Sequence, residues 1–179
     1  MCFEHNKDET CCFSGYRPEK FSFRLVPANP QYQQLKSDIR AGIADAAADG
    51  FQYFLCGMAR GFDILCGETV LAMREERNEW RDLQLIAVIP FPEHSKNWSE
   101  AWRLRHAALE VRSDELIYTS EKYHANCYFE RNKYMVDHAS RLICYCDGKN
   151  GGTACTMKYA KAADVPVINL AVNQPNVAD

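Results

Sequence analysis

Three short apolar runs in this chain each end in a glycine-bearing loop that leads towards a helix-like segment. Cys11-Cys12-Phe13 precedes Ser14-Gly15-Tyr16-Arg17-Pro18, and Tyr53-Phe54-Leu55-Cys56 precedes Gly57-Met58-Ala59-Arg60-Gly61-Phe62-Asp63. Leu142-Ile143-Cys144-Tyr145-Cys146 precedes Asp147-Gly148-Lys149-Asn150-Gly151-Gly152-Thr153. Open parallel sheets bind ligands at the carboxyl ends of their strands. A helix N-terminus there presents free N–H groups and the positive end of its dipole. Glycine lets a backbone come close to a phosphate with no Cβ in the way. Three such loops in one chain point to a nucleotide or another phosphorylated small molecule.

The pattern alternates strand and helix, which predicts an α/β fold of three layers with a mostly parallel sheet. Strands are expected at about 10–13, 52–56, Leu83–Ile89, Glu115–Tyr118, Arg141–Cys146 and 167–170. The first helix is expected over Tyr32–Asp49, where Leu35, Ile39, Ile43 and Ala46 recur at three- and four-residue spacing and Gly50 supplies a stop. Further helices are expected over Gly61–Trp80, Glu100–Arg112 (capped by Ser99), Asn126–Ala139 and Thr153–Ala163. No repeat or linker divides the chain, so residues 1–179 read as one domain with its core at about 10–170 and frayed ends, the tail from Ala171 included.

Composition narrows the function classes. At 179 residues, 47% hydrophobic and 25% charged, the chain can build one ordinary core. No run reaches the roughly 18 apolar residues of a membrane span, and the polar start Glu4-His5-Asn6-Lys7-Asp8 lacks the apolar stretch of a signal peptide. A net charge of −3 with acids and bases interspersed argues against nucleic acid as the partner. The nine cysteines form no CxxC pair, and neighbours such as Cys11-Cys12 point to opposite faces of a strand. That pattern predicts buried, reduced thiols acting as small hydrophobes, no metal site, and a cytoplasmic location.

The candidate site residues follow from the loops. Gly57, Arg60, Gly61 and Asp63 can hold a phosphate as a helix begins, or can form a tight turn with Asp63 near the positive helix end. Gly148, Gly151 and Gly152 suit an exposed anion-binding turn, with Thr153 as N-cap. Ser14, Gly15 and Arg17 offer a hydroxyl, a flexible backbone and a guanidinium. Arg131 and Asn132 reach the same end from a helix, with Arg131 and Met135 on one face. Phe91, His94 and Trp98 read as an aromatic wall over a base, or as core or lid. Catalytic signals are sparse: His94, His106, His124 and His138 are scattered, and Asp63 and Glu68 are the carboxylates nominated.

Taken together, Ser14–Pro18, Gly57–Asp63, Arg131-Asn132 with Met135-Val136-Asp137, and Asp147-Gly148 through Thr153 resemble the YpsA-like family of the SLOG superfamily, over about residues 10–170. The resemblance implies a Rossmann-like fold, a pocket for a nucleotide-derived ligand such as ADP-ribose or NAD, no required cofactor, and a homodimer as one compatible assembly. The expected role is a sensor or regulatory module. Two relatives mark the alternatives. Gly57–Asp63 is similar to the glycine loop of the DNA-processing DprA proteins, which bind single-stranded DNA. The Gly152-Thr153 loop is similar to that of the Lonely Guy phosphoribohydrolases, whose glutamate falls on Thr156 here. A threonine cannot do a carboxylate's acid–base work, so a nucleotide hydrolase would have to draw on Asp63 or Glu68.

Overall fold

A computed structural model describes residues 4–173. Six parallel strands form one sheet: β1 (Thr10–Ser14), β2 (Tyr53–Cys56), β3 (Gln84–Ile89), β4 (Glu115–Tyr118), β5 (Arg141–Cys144) and β6 (Val167–Asn169). Their order across the sheet is β4-β3-β2-β1-β5-β6. Five helices connect them: α1 (Pro30–Ala48), α2 (Phe62–Glu76), α3 (Glu100–Arg112), α4 (Cys127–Asp137) and α5 (Gly152–Ala162). This is the predicted single Rossmann-like α/β domain.

The sheet is covered on both faces, which is why its strands read as continuous apolar runs. Cys11, Phe13, Phe54, Cys56, Leu85 and Ala87 pack on one side with Leu35, Ile39 and Ile43 of α1, Val70 and Leu71 of α2, and Leu109 of α3. Cys12, Leu55, Ile86, Val88, Leu142 and Cys144 pack on the other with Met135 and Val136 of α4 and Ala160 of α5. The register sets Cys12 between Leu55 and Leu142. The eight cysteines among the described residues are free thiols, and all but Cys155 are buried.

The chain winds outward from β1 through β2 and β3 to β4. It then returns by α4 to the far side of β1, where β5 and β6 lie. The direction of winding therefore reverses between β1 and β5, and a crevice opens there outside the carboxyl ends of the strands.

Several ends differ from the sequence expectation. Asn29 accepts hydrogen bonds from the N–H groups of Gln31 and Tyr32, so α1 starts at Pro30, which fits the first helical position. Arg77 is extended and ends α2, and Asn78–Trp80 is a separate 3-10 turn. Strand β5 stops at Cys144. Ser99 occupies the cap position of α3 with no side-chain cap bond. The expected frayed tail begins instead with a 3-10 turn at Leu170–Asn173, and the remainder of that tail lies outside the described residues.

Candidate functional site

The crevice holds a cavity of about 200 Å³ lined by Ser14, Gly15, Tyr16, Arg17 and Lys20 after β1, by Ala59 and Asp63 after β2, by Tyr128, Arg131 and Asn132 of α4, and by Gly152 and Thr153 at the start of α5. The β1 loop, the β2 loop and the β5 loop thus meet at one end of the sheet, as their strand–loop–helix pattern implies. Gly57, Arg60, Gly61, Gly148 and Gly151 do not line it.

Arg131 is the buried cation of the site, 4% exposed. Its Nε donates to the Asn132 side-chain oxygen at 2.8 Å, and its Nη1 has no hydrogen-bond partner. Asn132 in turn donates to the Thr156 hydroxyl at 2.9 Å, and that hydroxyl donates to the Gly152 carbonyl at 2.9 Å. A continuous chain of hydrogen bonds therefore fixes the guanidinium relative to the first turn of α5. The Thr156 hydroxyl is one of its links, a structural use of the position where the Lonely Guy loop carries a carboxylate.

Asp63 is 3% exposed and its Oδ1 is likewise unpartnered. Burial pushes its carboxyl up to about 6, against the pull of the Arg131 guanidinium. Burial also lowers Arg131, against the pull of Asp63. Gly57 makes this arrangement fit: a Cβ there would stand 2.5 Å from Arg131 Nη1 and 2.7 Å from Asp63 Oδ2. Gly57 is thus a close-approach glycine serving the protein's own side chains.

The two expected anion loops turn out unequal. At the β2 loop, the Phe62 N–H donates to the Tyr16 carbonyl at 3.0 Å and the Ala59 N–H faces Asp63 Oδ2 at 3.4 Å, so these donors are used internally. At the β5 loop, α5 has no side-chain cap, and a Cβ on Gly152 would meet nothing within 4 Å. Thr153 is not the cap expected from the sequence. That place belongs to Gly151, whose φ of 144° disfavours any residue with a side chain, and Thr153 lies inside the first turn. The open helix end is therefore that of α5.

Tyr16 ties the β1 and β5 loops together. Its hydroxyl donates to Asp147 Oδ1 at 2.7 Å and accepts from the backbone N–H groups of Asp147 and Lys149. Lys20 Nζ donates to the Asn150 carbonyl at 2.6 Å and lies 4.6 Å from the Tyr16 ring centre. Arg17 lies over the Tyr128 ring at 5.3 Å.

Other nominated residues are elsewhere. Arg60 pairs with Glu19 at 2.9 Å. Glu68 takes both Arg105 donors, at 2.7 and 2.6 Å, and faces a surface depression with Tyr32, Lys36 and Arg40. That bidentate pair removes Glu68 from the crevice. The histidines are not all scattered either: His94 and His106 meet edge to face at 4.6 Å. His94 Nε2 donates to the Met58 carbonyl at 3.2 Å, pinning a backbone held at φ 57°, a region costly for a residue with a Cβ. Sequence reasoning missed Tyr16, Lys20, Ala59 and Tyr128. Tyr16 and Ala59 lie inside loops singled out from the sequence without being nominated themselves, and Tyr128 had a signal in its place three residues before Arg131 on one face of α4.

The family model described as the YspA SLOG family matches residues 11–168. The chain belongs to this SLOG family. The UPF0398 protein YpsA of Bacillus subtilis (strain 168) is 22% identical over 142 residues, spanning 78% of this chain and 77% of the relative. A UPF0398 protein of Staphylococcus haemolyticus is 23% identical over 163 residues, spanning 90% and 83%. Among solved structures, DNA processing protein A (DprA) of Streptococcus pneumoniae has a TM-score of 0.57 at 14% identity, over 91% of this chain and 50% of that one. DprA of Helicobacter pylori, described for its single-stranded DNA binding mode, gives 0.57 at 14% identity, over 89% and 64%. This SLOG chain thus spans between half and two thirds of each DprA chain. At such identity the likeness shows the fold alone.

Proposed function

We propose that this SLOG protein binds a phosphorylated, nucleotide-derived ligand in the crevice between β1 and β5, as a sensor or regulatory module. The observation that carries the reading is the buried Arg131, with an unpartnered Nη1, fixed beside the uncapped start of α5. A desolvated guanidinium calls for an anion, and Asp63, whose carboxyl is pushed towards neutrality, answers it only in part. The helix end adds N–H groups and a positive dipole end for the same anion. ADP-ribose, NAD and AMP all carry the required group. No resident cofactor or metal enters this reading.

Thermal unfolding and calorimetry against ADP-ribose, NAD, AMP and cyclic nucleotides test it. A ligand at 100 times its dissociation constant adds about 2.7 kcal/mol, which for a domain of this size raises Tm by roughly 5–10 °C. No shift across the panel would sink the proposal.

A hydrolase acting on the same ligand class is the second reading. It rests on Asp63, a carboxyl in the cavity poised near neutrality, where acid–base catalysts work. Chromatography of nucleotide incubations would show product that Asp63→Asn abolishes. Single-stranded DNA, the ligand of the Helicobacter pylori relative, fits less well, because the chain carries a net charge of −3 with no basic stripe. Salt-sensitive retention of single-stranded DNA would revive it.

A further inference from the structure

A second cleft adjoins the cavity, and the two share Tyr128. It measures about 430 Å³ and is walled by Phe91, His94, Trp98 and Tyr123. Its character is different. The first cavity is polar, with Ser14, Arg17, Lys20 and Arg131 facing Asp63; the second is walled by rings, with Glu93, Lys96 and Asn97 completing its lining.

The rings of the second cleft meet edge to face. Phe91 approaches Tyr123 at 5.6 Å and 73°, and Tyr128 at 6.0 Å and 72°. An edge-to-face contact occupies only one ring face, so stacking surface is left over for a further ring. Tyr123 is 65% exposed, so its ring is accessible to a stacking partner. The wall is anchored: His94 meets Trp98 edge-on at 5.0 Å and donates to the Met58 carbonyl, which holds residues 91–98 against the β2 loop. Glu93 and Lys96 also line the cleft, and burial keeps His94 neutral, pushed down to about 3, so the ring wall itself carries no charge.

We infer that this aromatic cleft receives the heterocyclic base of the nucleotide whose phosphate occupies the cavity at Arg131 and Gly152. The inference rests on the anion-site reading above and narrows its ligand to molecules carrying a base. Tyr128 stands at the junction, where a ribose would bridge the two parts, and Arg17, over the Tyr128 ring, sits at the same junction. Base-on-aromatic stacking tolerates any base, because each has a π-face, and one stacked ring strengthens binding by roughly tenfold.

The test compares AMP, ribose 5-phosphate and inorganic pyrophosphate by calorimetry on the full chain and on Tyr123→Ala and Tyr128→Leu. AMP is expected to bind at least about tenfold tighter than ribose 5-phosphate. Tyr123→Ala should erase most of that preference and leave ribose 5-phosphate binding unchanged, and Tyr128→Leu should weaken AMP more than pyrophosphate. Equal affinities for AMP and ribose 5-phosphate in the unmodified chain, or a preference that survives both substitutions, would overturn the base subsite while leaving the anion site standing. Binding of none of the three, nor of ADP-ribose, NAD or a cyclic nucleotide, would overturn the anion site and the base subsite together.

Discussion

Arg131 and Asp63 are both almost fully buried at the wall of the cavity, and neither is fully satisfied by the other. Replacing Arg131 by Met removes a charge-assisted contact to the ligand phosphate, worth about 1.5–3 kcal/mol, so affinity should fall by about tenfold to hundredfold. Calorimetry reads that loss, and unchanged affinity would place the phosphate elsewhere. Asp63 has a pH signature of its own. Burial raises its carboxyl from 3.8 to about 6 in the folded chain, against the opposing pull of Arg131 and Arg17. The native state therefore holds this proton longer than the unfolded state. The contribution to stability is fully present below about pH 4 and is lost as pH rises through 6. At 1.36 kcal/mol per unit the loss is about 3 kcal/mol. Denaturant titrations from pH 4 to 7 should show this component in the unmodified chain, and Asp63→Asn should remove it. An unaltered slope in the variant would mean that the carboxyl titrates normally. From sequence, Asp63 and Arg131 could be named but not paired, because 68 positions of chain separate them and only the return of α4 to β5 brings them together.

The two glycine loops look alike as sequence and behave differently as elements. Each follows a buried strand, each is glycine-bearing, with two glycines after β2 and three after β5, and each opens a helix. What separates them comes from other parts of the chain. Tyr16 supplies the carbonyl that takes up the Phe62 N–H, and Arg131 and Asp63 press on Gly57. Nothing within 4 Å crowds Gly152. Matched substitutions should expose the difference. Gly57→Ala puts a methyl 2.5 Å from Arg131 Nη1, an overpacking expected to cost about 1–3 kcal/mol and to displace the guanidinium. Gly152→Val adds bulk in open space at the mouth of the cavity, so it should change stability by less than about 1 kcal/mol while blocking ligand. Denaturant midpoints and binding constants on the two variants decide the matter. A large stability loss in Gly152→Val would mean that the helix start is not open. The helix boundaries misjudged from sequence have a similar cause. Pro30 belongs inside α1 because Asn29 caps it, and Arg77 ends α2 by adopting extended backbone, neither of which apolar spacing can reveal.

At the scale of the whole molecule, strand order is what makes a site. The alternation of strand and helix was readable as an α/β domain, and buried apolar runs marked the central strands. The reversal between β1 and β5 was not readable, since the connection through α4 has the same local pattern as the connections before it. Because that reversal places β1, β2 and β5 side by side, their cysteines report on one cooperative core. Cys12, Cys56 and Cys144 are all fully buried, and burial raises each thiol, Cys144 to about 12. A buried, protonated thiol does not react with an alkylating reagent until the sheet opens. Cys155, exposed on α5, needs no such opening. Pulsed alkylation read by peptide mass spectrometry should therefore label Cys155 first, and Cys12, Cys56 and Cys144 later at a common rate. If each label requires global opening, a nucleotide at 100 times its dissociation constant should slow those three equally, by about a hundredfold, and leave Cys155 largely unaffected. Unequal rates at β1 and β5 would show that the two halves of the sheet open separately. In that case the crevice between them would be a hinge, and ligand would be expected to slow the later-paired strand most.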